Sequence, residues 1–141
     1  MNEYKINDLS IGLSESFSNR ITLNMMEDFM KVSGDENPLH IDDVFARSKG
    51  FQNRVVYGML TASFISTLGG CYLPGKYCII QGVETKFLRP VYVGDEITVT
   101  GEVVDIREEL NYIEIKVTMK NQKGEKVLRG TLKAGVLDGE K

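Results

Sequence analysis

The chain lacks tryptophan altogether and carries one histidine, two cysteines and three prolines among its 141 residues. Cys71 and Cys78 lie in an apolar stretch without the paired spacing that zinc sites and redox motifs require, so they are read as reduced, packed thiols. Long apolar runs are missing as well. None approaches the roughly 20 residues that span a bilayer, and the segment Met1 to Asp8 is polar in character, so the expectation is no membrane span and residence in the cytoplasm. Nor is there an excess of positive charge: seventeen basic residues face twenty acidic ones, a net charge of -3, with no basic stripe for a nucleic-acid backbone. Linkers, repeats and low-complexity segments are absent too. Residues 1–141 are therefore read as one domain, long enough to bury a core without metal or disulfide staples.

The single histidine is informative because of where it stands. His40 follows Asp35 in Ser33-Gly34-Asp35-Glu36-Asn37-Pro38-Leu39-His40. Pro38 fixes its own φ and pushes Asn37 towards an extended conformation, while Gly34 can end a preceding helix in the left-handed region. Asn37 suits a turn closed by its own side chain. A carboxylate and an imidazole are thereby held on either side of a short, stiffened turn, a pairing suited to moving protons.

The first half of the chain reads as helix and the second as long strands, an α+β order. Thr22 can cap a helix through about Ser33, in which Met25, Phe29 and Val32 recur at helical spacing. Asp42 can cap a shorter helix carrying Val44, Phe45 and Ala46. Gly58 opens a third, Met59 to Leu68, which has no charge, ends at Gly69-Gly70 and should be buried on nearly every side. From about Lys76 onward the period changes to two. Ile113, Ile115, Val117 and Met119 describe a half-buried strand, Asn121 to Gly124 a turn, and Leu128 to Val136 a returning strand. An earlier strand from Glu96 alternates through Ile97, Val99 and Val103 and then slips phase to Val104 and Ile106, which predicts a β-bulge. Together these predict a curved antiparallel sheet wrapped around one buried helix.

On these residues the sequence resembles the hot-dog fold and, within it, the MaoC-like (R)-specific enoyl-CoA hydratases. The turn Ser33 to His40 followed by Ala46 is similar to the family's catalytic signature, and Val56-Tyr57-Gly58-Met59-Leu60 is similar to the start of its central helix. Leu73-Pro74-Gly75 and Phe87 to Asp95 extend the resemblance. In one place the chain departs from the pattern: the family usually has histidine immediately before the glycine, and here that residue is Tyr57.

The resemblance implies reversible syn addition of water to a trans-2-enoyl thioester, with no metal or redox cofactor, carried on coenzyme A or acyl carrier protein. It also implies a homodimer with sites in crevices between subunits. Asp35 and His40 would grip one water, dividing its deprotonation and the delivery of a proton to C2, in surroundings dry enough to raise the carboxylate's basicity. The Gly58 N–H, free at a helix start, would receive the thioester oxygen. Ser66, about two turns further along and read as sharing a face with Gly58, together with Tyr57, Asn37 and Met59, completes the expected substrate contacts. Lys76, Lys86, Arg89 and Lys123 could meet the carrier's phosphates, although charged residues beside strands are usually just solvated. Two alternatives stay open: thioester hydrolysis, since other hot-dog proteins cleave acyl-CoA, and a non-catalytic acyl-thioester binding module.

Overall fold

The structure, a computed structural model, describes residues 1–137. Thr22 starts α1 (Leu23–Ser33) by accepting a hydrogen bond from the Met25 N–H at 3.2 Å, and Gly34 closes it with φ 74°, donating its N–H to the Met30 carbonyl. Asp42 caps α3 (Asp43–Ser48) through the Phe45 N–H, as its position predicts. Between them lies a single-turn helix that the sequence pattern did not reveal, α2 (Pro38–Ile41). Pro38 fills its first position, where a missing N–H costs nothing, and Asn37 caps it by accepting from the Leu39 N–H at 2.9 Å.

The central helix α4 (Gly58–Thr67) does not stop at the two glycines. It runs on through a wider π turn, Leu68–Tyr72. A side chain on Gly69 would stand 3.0 Å from Leu132 Cδ2 and 3.2 Å from Cys78 Sγ, so that glycine serves close packing on the sheet rather than termination.

Among the described residues, five strands form one antiparallel sheet: β1 (Ser14–Arg20), β2 (Cys78–Phe87), β3 (Glu96–Arg107), β4 (Tyr112–Lys120) and β5 (Lys126–Val136), in the order β1-β3-β4-β5-β2. The predicted slip in β3 is a register shift between Val103 and Asp105 against β4. Ile113, Ile115, Val117 and Met119 are fully buried, and their alternation is what points β4 at the core. Leu60, Phe64 and Ile65 of α4 complete that core. This is the hot-dog architecture. Within one chain, however, α4 is covered on one side only: Met59 is 65% exposed, and Ser63 and Ser66 also face outward. Cys71 and Cys78 are free thiols, and burial pushes the Cys78 thiol up.

Candidate active site

The Asp35–His40 turn is built from nested side-chain-to-backbone bonds. Asp35 Oδ1 accepts from the Asn37 N–H at 3.0 Å, and the Asn37 side chain then starts α2, which carries His40. The His40 ring is fixed by a 2.7 Å hydrogen bond between Nδ1 and the Val55 carbonyl. A carbonyl can only accept, so Nδ1 carries a proton and Nε2 is the nitrogen left to take one up or, once protonated, to give one.

Tyr57 joins the two halves of the pair. Its ring is buried, with its centroid 4.3 Å from that of His40 and 4.9 Å from that of Phe29, and its hydroxyl donates to the Asp35 carbonyl at 2.7 Å. Burial and then the charge of Asp35 raise its phenol above the ordinary tyrosine range, which keeps it a donor. The hydroxyl of Tyr57, a residue expected among the substrate contacts, is thus already engaged in holding Asp35.

Tyr57 is also the residue before α4, and its neighbour Gly58 begins that helix with an N–H that has no intrahelical partner. Val56 anchors this start by donating its N–H to the Val91 carbonyl at 2.8 Å. A Cβ on Gly58 would lie 3.1 Å from Phe87 Cε1 and Cζ, so the ring of Phe87 rests directly on the glycine. His40, Gly58, Thr61 and Phe87 line one cavity of about 320 Å³, with Arg89 in its wall and otherwise largely apolar sides.

Not every expected residue meets in that space. Asp35 lies outside the cavity lining and is exposed in the single chain, so the dry surroundings expected for its carboxylate are not supplied by its own chain. Ser66 and Met59 sit on the exposed face of α4, whereas Gly58 and Thr61 face the cavity. Eight residues of helix turn Ser66 about 80° away from Gly58, enough to place it on the neighbouring face. Of the four candidate cations, Arg89 reaches the cavity and pairs with Glu125 at 3.4 Å, while Lys76 is engaged with Glu3. Thr61 and Phe87 were not expected in the site from sequence. Thr61 stands three residues after Gly58 as a polar residue on a buried face, and that was a usable signal.

The MaoC-like domain model matches residues 12–126. The chain belongs to the MaoC-like domain family. This MaoC-like domain is 42% identical over 101 residues to an (R)-specific enoyl-CoA hydratase of Aeromonas caviae, covering 72% of this chain and 75% of that protein. It is 37% identical over 112 residues to a mitochondrial 3-hydroxyacyl-[acyl-carrier-protein] dehydratase of Arabidopsis thaliana, with 79% and 63% covered. Among solved structures, the unliganded R-hydratase of Pseudomonas aeruginosa superposes with a TM-score of 0.89 at 30% identity, over 96% of this chain and 86% of that one.

Proposed function

We propose that this MaoC-like domain is a hydro-lyase that adds water reversibly to trans-2-enoyl thioesters, giving (R)-3-hydroxyacyl thioesters. The observation that carries the reading is the shared cavity of His40 and Gly58, with Asp35 tied to the same histidine through Tyr57. An enoyl group lying there would present its thioester oxygen to the Gly58 N–H and its C3 to a water held by Asp35 and His40 Nε2. The water oxygen bonds to C3, its proton passes to the pair, and the pair delivers a proton to C2. Neither residue is consumed, and both return to their starting protonation. Asn37 shapes the turn, and Tyr57 acts as a positioning residue.

The substrate is carried on coenzyme A, as named for the Aeromonas relative, with acyl carrier protein as the second candidate on the strength of the Arabidopsis one. The working form is a homodimer. Strand β2 is a sheet edge whose Ile79, Ile80, Val83 and Phe87 are between 39% and 49% exposed, an apolar edge of the kind proteins cover. A second copy there would also cover Met59 and Ser66 on α4, which makes them candidates for the acyl-chain wall, and would shield Asp35. Free Cys71 and Cys78 fit a reducing cytoplasm.

The test is a panel of trans-2-enoyl-CoA thioesters of increasing chain length, with loss of conjugated absorbance and release of thiol followed together. Absorbance should fall without thiol release. Thiol release in step with turnover would establish thioester hydrolysis instead, and acyl-CoA binding with neither change would establish a binding module.

A further inference from the structure

Among the described residues, Thr61 Oγ1 is the one buried side-chain nitrogen or oxygen without a hydrogen-bond partner. Thr61 itself is 2% exposed. A helical threonine ordinarily satisfies its hydroxyl by donating to the carbonyl four residues back. Here that acceptor is the Tyr57 carbonyl, which already receives the Leu60 N–H at 3.0 Å and the Thr61 N–H at 3.2 Å. Ser63, by contrast, finds the Leu60 carbonyl. The Thr61 hydroxyl is therefore left over at a buried position where a valine of the same shape would carry no unsatisfied group.

Its place in the helix suggests what it is kept for. Thr61 follows Gly58 by three residues and lines the same cavity. Helical side chains lean towards the N-terminus, so Thr61 overlies the turn that Gly58 begins. Methyl and hydroxyl share the same Cβ, so one χ1 step would exchange the two where Thr61 meets the cavity. The surrounding wall includes Val55, Val91 and Val127, which offer no side-chain acceptor. The side-chain acceptor in that wall is His40 Nε2, which the proposed mechanism gives to the water, so the acceptor left for Thr61 is the polar substrate atom delivered to this turn, the thioester oxygen.

We infer that Thr61 is a second hydrogen-bond donor to the thioester oxygen, acting beside the Gly58 N–H; this rests on the hydratase reading above. A donor of this kind bonds most strongly when the oxygen gathers enolate charge, so it acts on kcat more than on KM. The hydroxyl is deleted without loss of shape in Thr61→Val, and deleted a second way in Thr61→Ala against Thr61→Ser. With an enoyl-CoA that the wild type hydrates, kcat should fall roughly 10- to 100-fold in Thr61→Val, with KM little changed. Thr61→Ser should stay near wild type and Thr61→Ala should fall with Thr61→Val. The melting temperature of Thr61→Val should be at or above that of the wild type, because a buried unpaired group has been removed. Unchanged kcat in Thr61→Val, or in Thr61→Ala relative to Thr61→Ser should the valine variant not fold, overturns the inference. A rise in KM alone does so too, since it shows binding without transition-state bias. A wild type that hydrates no enoyl thioester defeats the hydratase reading itself, and that outcome is seen before any variant is made.

Discussion

In the proposed mechanism His40 works through a single nitrogen, because the Val55 carbonyl holds the other. Replacing it with alanine, or Asp35 with asparagine, should lower hydration at least roughly 100-fold. Circular dichroism should show an unchanged fold, since Asp35 is exposed and His40 only half-buried. Tyr57 plays a different part. Tyr57→Phe keeps the ring between His40 and Phe29 but removes the bond to the Asp35 carbonyl, at an expected loss of about 1 kcal/mol in urea unfolding. The phenol is raised above its ordinary range in the folded chain, so the stability it contributes is complete below the unfolded tyrosine pKa and is lost as pH rises through the folded one. The variant should therefore lack part of the wild type's alkaline destabilisation, as read from melting temperatures across an alkaline pH series.

At the scale of elements, the start of α4 is the sensitive point. A methyl at Gly58 would press on the Phe87 ring from 3.1 Å, and since Phe87 is half exposed the ring can yield into the cavity. Gly58→Ala should fold normally yet lose roughly 10- to 100-fold in kcat/KM through displaced substrate. Adding Phe87→Leu should restore much of it, because the smaller side chain makes room. Steady-state kinetics on the single and double variants checks this, and failure of the second change to help would remove Phe87 from the account. How far such details could be read from sequence differs by element. The caps at Thr22 and Asp42 and the alternation from Ile113 to Met119 were legible because local chemistry alone sets them. Strand β1 was not, since Phe17 is its one apolar residue and its identity comes from pairing with β3. Gly69 misled because a glycine that permits close packing looks the same in sequence as one that ends a helix. Proline at a first helical position likewise concealed α2. Of the site, the residue types and their turn were legible. The link from Tyr57 to Asp35 was not, since it joins residues 22 apart in the chain.

At the scale of the molecule, the exposed Asp35, the uncovered face of α4 and the apolar edge of β2 belong together. The proposed second copy, joined along β2, would give each of them the cover it lacks in one chain. Val83→Lys puts a charge on that edge and should yield a monomer by light scattering, with most of the hydration rate lost; a fully active monomer would show that one chain suffices. Hydration places the water oxygen on C3 and hydrolysis places it on C1, so reaction in ¹⁸O-labelled water separates the two. With trans-2-enoyl-CoA as substrate, mass spectrometry should find the label in the C3 hydroxyl of an (R)-3-hydroxyacyl-CoA, with the thioester intact. Label appearing in a free carboxylate, or no label at all, would contradict the assignment.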